Sequence, residues 1–284
     1  MPATPYVTAA EFAAHPTYLA LDNLRQDTSD PDAQSAELTN ILLMASSWAD
    51  SECNQPLGAH VATRTQRARC DRDGNLQLFA NRFPVLSVAA VSYGSGPGDQ
   101  ADVLDLTGAW TLEQRLVLVP IGGARTPSGP GLYVRWTFVA GRVATLVDDD
   151  ADQGATALTV TDPTGIQPGE AYRLWEPGLE ETVTVADDYE PPTASSAPQP
   201  TEIPLAAPTL HAHGAGFSFT GMTSDLRLAV VSYAASLLMR PDSAAEDEYP
   251  DNNASSTRSK DSRPTGLGLV KEARRILMSE TVVF

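Results

Sequence analysis

The stretch that decides the fold is ELTNILLMASSWADSECNQP, residues 37–56. Its apolar residues recur at spacings of three and four, which places them on one stripe of an amphipathic helix. The members of this stripe are Leu38, Ile41, Leu42, Ala45, Trp48, Ala49 and Cys53. Residues 28–30 offer N-caps, Pro31 suits a first helical position, and Pro56 ends the run. We therefore predict a long helix whose apolar stripe needs a partner.

A second helix near the C-terminus supplies that partner. Ser224 caps a pattern that runs over residues 225–240 and is predicted to end at Pro241. A shorter helix is predicted over residues 266–278, and another begins near Thr8. The shorter helix is predicted to be amphipathic, with an inward side of Leu269, Ala273, Ile276 and Leu277 and an outward side of Lys271, Arg274 and Arg275. The predicted helical core comprises Leu38, Ile41, Leu42, Trp48, Leu226, Val230, Tyr233 and Leu237.

Between these helices the sequence period changes from helical to strand-like. The dipeptide Asp73-Gly74 between two alternating segments indicates a hairpin, because glycine reaches positive φ without penalty. Further strands are predicted over residues 84–93, 110–120 and 132–140. No β-α-β alternation occurs, so a doubly wound parallel sheet is not expected.

Composition narrows the function classes. The chain has 284 residues and a net charge of −17, which argues against nucleic acid or an anionic membrane as the main surface partner. Its two cysteines, Cys53 and Cys70, imply no disulfide framework and leave their pairing open. The N-terminal residues lack the pattern of a signal peptide, and no run of apolar residues is long enough to span a bilayer. We expect a soluble chain made in the cytosol.

Residues 146–217 differ in character from the rest. This segment holds thirteen acidic residues against one base, Arg173, and therefore a net charge of −12. Short strands are predicted over residues 157–160, 171–175, 181–186 and 202–205, separated by Pro-Gly turns. We interpret the segment as an acidic β-rich insertion.

The predicted fold class is α+β: a helical core with short antiparallel strands and a small inserted β-rich domain. The main domain would comprise residues 1–145 and 218–284, with helices in 8–56, strands in 61–140, and helices at 225–240 and 266–278. The insertion would comprise residues 146–217.

Two patterns carry possible metal chemistry. Asp148-x-Asp150-x-Asp152 resembles the start of a calcium loop, but the required glycine is displaced and the twelfth position is Thr159, so a solvated acidic turn is the alternative. His211-x-His213 could place two imidazoles on one side of a strand, yet no third ligand stands at a suitable spacing. No catalytic or phosphate-binding motif occurs in the sequence. We predict no catalysis, no cofactor and no metal.

The order of these patterns resembles the head–tail connector proteins (adaptor, or head-completion, proteins) of long-tailed double-stranded DNA phages. The resemblance is carried by the helical stretch ASSWADSECNQPL, the strands TRTQRARCDRDGNLQLFANRFPVLSVAAVSYGS, the late helix DLRLAVVSYAASLLMRP and the C-terminal GLVKEARRIL. The insertion resembles β-modules in connectors of phages that infect actinobacteria.

The resemblance implies a structural protein of the virion neck, without enzymatic activity. Such proteins form a ring, typically dodecameric, under the portal protein and extend the DNA channel towards a tail-side neck or tail terminator protein. Double-stranded DNA would pass through without specific binding, and no membrane is involved. C-terminal segments of such proteins commonly bind the portal. By their position in the chain, the residues that the resemblance assigns to this contact are Arg274, Arg275, Val282, Val283 and Phe284.

Two other functions remain open. The acidic β-domain could recognise a glycan or a host protein through Tyr172, Trp175 and Tyr189, although these aromatic residues could equally form a core. A hydrolase with paired carboxylates is the third possibility, since acidic residues are abundant.

Overall fold

The computed structural model of the chain describes residues 4–17, 19–25, 27–98, 102–121, 132–192, 198–247 and 267–282. Within these residues the chain forms four α-helices and thirteen strands. The helices are α1 (Ala9–Ala14), α2 (Pro31–Cys53), α3 (Ser224–Asp247) and α4 (Leu267–Leu277), the last followed by a 3-10 turn, Met278–Glu280. The strands are β1 (His60–Cys70), β2 (Asn75–Phe79), β3 (Val85–Gly94), β4 (Asp102–Val103), β5 (Trp110–Leu112), β6 (Leu116–Pro120), β7 (Leu132–Ala140), β8 (Ala144–Leu146), β9 (Ala157–Val160), β10 (Ala171–Trp175), β11 (Glu181–Thr184), β12 (Thr201–Pro204) and β13 (Ser218–Thr220).

The chain divides into two compact units. The helical unit comprises residues 1–55, 175–180 and 222–284, and the β unit comprises residues 56–174 and 181–221. The segment predicted as an insertion, 146–217, therefore lies mostly in one unit with the strands predicted at 61–140.

The predicted fold class, α+β with a helical core, is wrong. β structure predominates, and its main element is a curled seven-stranded antiparallel sheet resembling half a barrel. The sheet buries its own core, in which Trp136 and Phe138 stack with ring centroids 4.1 Å apart. The long strands β1, β3 and β7 all contribute buried side chains to this core. The prediction underestimated how much apolar surface the strands bury against each other.

The seven strands are arranged in the order β4-β3-β7-β1-β2-β6-β5. Strands β1 and β2 form the predicted hairpin, in which Gly74 has a φ of 83°. Strand β3 changes register against β7 between Val85 and Ser87 and again between Val88 and Ala90. Such bulges bend a strand and increase its twist, which accounts for the curl.

The predicted single strand over residues 110–120 is instead the hairpin β5–β6. Its turn residues, Glu113 and Gln114, have φ values of 51° and 56°. Two consecutive left-handed residues form the turn that suits a tight hairpin, where Asn-Gly is the usual sequence. Since neither residue is glycine, asparagine or aspartate, the turn left no signal in the sequence.

The acidic segment contains the four predicted strands and forms its own core. Strand β8 enters the segment and β13 leaves it, and these two strands pair, with Ala144 opposite Thr220. The sequence analysis did not predict either strand, because each has only three residues. The enclosed core includes Leu158, Ile166, Leu174, Ile203 and Phe219, all buried.

The helical unit is built around α2 and α3. Of the predicted core residues, Leu38, Leu42, Leu226 and Val230 are buried and Ile41, Trp48, Tyr233 and Leu237 are half-buried. Trp48 and Tyr233 stack with ring centroids 3.8 Å apart, which joins the two helices. Helix α3 continues through Pro241 to Asp247, so the predicted end at Pro241 is wrong. A proline disfavours the helical conformation of the preceding residue and removes one backbone hydrogen bond, but its own φ is helical, so it does not by itself end a helix. No helix among the described residues combines the length and apolar character needed to cross a bilayer.

Candidate interaction surfaces

The C-terminal helix α4 carries Arg274 and Arg275, two of the five residues to which the resemblance assigns a portal contact. Ala273 and Leu277 are buried, whereas Lys271, Arg274 and Arg275 are exposed. This division confirms the predicted amphipathic helix. Its cationic side therefore faces solvent in the helical unit as described.

Each of the two arginines has an acidic partner. The Arg274 guanidinium lies 2.9 Å from the Glu52 carboxylate of α2, and Arg275 lies 2.6 Å from Glu272 on its own helix. The hydrogen bond to Glu272 raises the pKa of Arg275 and lowers that of Glu272. Exposed pairs of this kind contribute little to stability, so another protein could displace them at small cost.

The C-terminal tail is bound to the end of α2 up to Val282. The Val282 N–H donates to the Cys53 carbonyl at 3.0 Å. The buried Gln55 amide donates to the Glu280 carbonyl at 3.0 Å. The last carbonyls of a helix lack partners within it, and the tail satisfies one of them at the end of α2. Val283 and Phe284 lie outside the described residues.

A surface that the sequence analysis missed is the solvent-exposed outer face of the seven-stranded sheet. Arg67, Arg69 and Arg135 project from neighbouring strands of this face and are exposed; they are called the arginine strip below. Arg67 lies 4.9 Å from the ring centroid of Tyr133 and donates to its hydroxyl at 2.8 Å. The alternation TRTQRARC in β1 was the available signal, since every second residue shares a face.

The same outer face continues into an apolar strip on the hairpin side of the sheet. Its members are Phe79, Trp110, Leu112, Leu116 and Leu118. Phe79 is 57% exposed, Trp110 45% and Leu112 50%. Large apolar side chains grouped on one surface are typical of protein–protein contacts.

Of the two histidines in the His-x-His pattern, His213 is buried and pairs with Glu181. His213 Nε2 lies 2.7 Å from Glu181 Oε1, and Glu181 also accepts from the N–H groups of Leu210 and His211. Burial opposes ionisation of Glu181, but the hydrogen bonds from Leu210, His213 and His211 outweigh it and lower its pKa. Glu181 therefore links the His213 side chain to the backbone of residues 210–211 inside the β unit. The buried partner of His213 is this carboxylate, so the histidine has a structural role.

In the calcium-like pattern of residues 148–152, one carboxylate bonds to the protein backbone. Asp150 Oδ1 accepts from the Ala215 N–H at 2.8 Å. In the described part of the chain, no group of three or more His, Cys, Asp or Glu side chains is arranged to hold a metal ion. Neither Cys53 nor Cys70 forms a disulfide.

The aromatic residues considered for glycan contact do not form a common surface. Tyr172 and Tyr189 are buried in the core of the acidic segment, and burial raises the pKa of Tyr189 to about 12. Trp175 is half-buried in the helical unit, with its ring centroid 4.7 Å from the Arg227 guanidinium. It lines a cavity of about 410 Å³ together with Glu11, His15 and Arg227. The interpretation of the tyrosines as core residues is therefore confirmed.

Comparisons with known protein families, with curated proteins and with solved structures found no match.

Proposed function

We propose that the chain is a structural subunit of the head-to-tail connector of a tailed phage. It would form a ring below the portal, extend the DNA channel and provide the platform for tail attachment. The subunit would be made in the host cytoplasm, reside in the virion neck and act without catalysis. The motif order described above, helices then strands then a late helix pair, supports this assignment.

The observation that carries the proposal is the fixed presentation of α4. The tail from Glu280 to Val282 is tied to the end of α2, and the helix exposes Lys271, Arg274 and Arg275. Beside them Met278 is 74% exposed. Cations around a flexible apolar residue suit a protein contact, because methionine adapts to irregular surfaces and the charges steer association. In a chain of net charge −17, this basic helix is the segment we assign to the portal.

Electron microscopy of the purified chain, alone and mixed with the portal protein encoded beside it, tests the proposal. Closed rings, or rings that assemble only on the portal, are the expected result. A chain that stays monomeric and does not bind the portal would refute the proposal.

A matched pair of variants assigns the contact. Arg274→Glu with Met278→Asp should abolish portal binding, whereas Arg25→Glu, a reversal at an exposed arginine outside α4, should leave it unchanged. Equal portal binding by both variants contradicts the assignment to α4.

A further inference from the structure

The arginine strip and the apolar strip form one continuous surface. Residues opposite each other on paired strands point to the same face of a sheet. Arg69 lies opposite Gln77, which lies opposite Leu118. Leu118 in turn lies opposite Trp110. A single row across β1, β2, β6 and β5 thus joins a cation to an exposed tryptophan.

The chemistry of this surface favours a protein over DNA. Arginine, tryptophan and phenylalanine are the residues enriched at the centres of protein interfaces. The apolar strip offers nothing to a phosphate backbone, and the net charge of −17 opposes approach to a polyanion. A protein partner for this face needs an acidic surface to match the arginine strip.

The same chain provides such a surface. The acidic segment carries exposed carboxylates that include Glu170, Asp187, Asp188, Glu190 and Glu202. Among the described residues, no carboxylate forms an ion pair with the side chains of Arg67, Arg69 or Arg135. The cations of one copy therefore stay available to the carboxylates of another.

We propose that the outer face of the seven-stranded sheet binds the acidic segment of a second copy of the chain. Two different patches would meet, so the contact is heterologous, and repeating it generates a closed ring or an open filament. This inference deepens the proposed connector function and rests on it for the ring, because it assigns the surfaces through which neighbouring subunits would meet.

Charge reversal on the sheet tests the contact. The variant Arg69→Glu with Arg135→Glu changes two exposed side chains that form no hydrogen bond or ion pair among the described residues. Its control, Arg25→Glu with Arg72→Glu, makes the same change of net charge at two exposed arginines outside the arginine strip and the apolar strip. We expect the sheet variant to weaken self-association by about tenfold or more in analytical ultracentrifugation, and the control to match the wild type. Circular dichroism spectra and melting curves check that both variants fold.

A mixing experiment distinguishes a heterologous contact from any other. A second variant, Asp187→Lys with Asp188→Lys, reverses the acidic side. Each variant alone should fail to form rings, alone or on the portal. Their mixture should restore rings of alternating copies, because the reversed sheet of one variant meets the reversed acidic segment of the other and the remaining contacts are those of the wild type.

The outcomes separate the inference from the connector proposal. Rings of the sheet variant that match those of the control overturn the inference and leave the connector proposal intact. The wild type could instead self-associate through the sheet arginines but form no rings, either alone or on the portal. That result supports the inference and refutes the connector proposal. Binding of a 30-base-pair duplex that is lost in the sheet variant, with self-association unchanged, assigns the face to DNA and overturns the inference.

Discussion

The helical unit and the seven-stranded sheet hold their segments together by different means. In the helical unit, buried polar side chains on helices bind the backbone of irregular segments. Ser46 accepts from the Tyr6 N–H at 3.0 Å, and Arg227 donates to the Tyr6 carbonyl at 2.9 Å. Gln34 does the same for Arg25, accepting from its N–H and donating to its carbonyl. In the sheet, backbone hydrogen bonds between strands join the segments instead, as in the β1–β7 ladder, where nine residues of β1 lie opposite nine of β7.

The difference follows from where each structure satisfies its backbone groups. Away from its ends, a helix satisfies its own N–H and C=O groups internally, so it offers none to a neighbouring segment. Buried backbone of that segment must then bond to side chains, because an unsatisfied buried group costs about 1–3 kcal/mol. A strand bonds its neighbour directly and spreads the stabilisation over many residues. Sensitivity to single substitutions should therefore concentrate in the helical unit.

The largest expected effect is at Arg227. Its guanidinium lies 2.6 Å from Glu11, and both side chains are almost fully buried. Arg227→Met keeps the apolar stem but leaves the Glu11 carboxylate without this cation, which should lower the free energy of unfolding by about 3–5 kcal/mol. Urea denaturation measures the loss. The control Arg274→Met, at an exposed ion pair, should change stability by about 0.5 kcal/mol or less. Equal effects of the two substitutions would contradict the comparison.

The second-largest effect is expected at Glu181. It tests whether the acidic segment, like the helical unit, depends on single buried polar side chains. Glu181→Gln weakens the hydrogen bonds from Leu210 and His211, and should cost about 1–3 kcal/mol at neutral pH. Because the pKa of Glu181 is lowered on folding, its stabilisation is present above the ordinary value of 4.5 and disappears as the pH falls through the lowered value. The stability difference between wild type and variant should therefore vanish in acid. A difference that persists below that range would refute the role of the charge; Glu202→Gln, at an exposed carboxylate, is the control.

A third substitution should stabilise the sheet. Glu113→Asn with Gln114→Gly places the preferred residues in the left-handed turn of the β5–β6 hairpin and should raise the free energy of unfolding by about 1 kcal/mol. Gly74→Ala, in the β1–β2 turn at a φ of 83°, should lower it by about the same amount through backbone strain alone, because the added Cβ would meet no atom within 4 Å outside its chain neighbours. Changes of the same sign in the two hairpins would show that turn strain does not govern them.

The smallest expected effect is on the outer face of the sheet. Thr63 Oγ1 lies 3.1 Å from Thr137 Oγ1 across the β1–β7 ladder, in an exposed position. Thr63→Val removes this hydrogen bond and leaves the ladder intact, so the free energy of unfolding should change by about 0.5 kcal/mol or less. A loss comparable to that at Arg227 would mean that side-chain bonds, and not the ladder, hold the sheet.

Sequence patterns predicted the elements whose signals are local. Thr8 caps α1, and Asp30 and Pro31 start α2, as predicted, whereas α2 ends at Cys53, before the predicted end at Pro56, with Asn54 in the left-handed conformation. Strand β7 and the hairpin turn at Gly74 also follow from residue type and period. Helix α4 was predicted with the correct buried and exposed sides. For the candidate portal contact, the sequence supplied the cationic side of α4, and the structure added the ion pairs and the tie at Val282.

The sequence by itself determined where most helices and strands form, because caps, turns and hydrophobic period act within a few residues. Only the tertiary structure decided that the sheet buries its own core, that Arg227 binds Tyr6 and Glu11, and that Arg69 and Trp110 share a row. These pairings join residues far apart in the chain, through strand register and the burial of charge. No local spacing encodes which distant partner satisfies a buried group, and the two interaction surfaces proposed above depend on that choice.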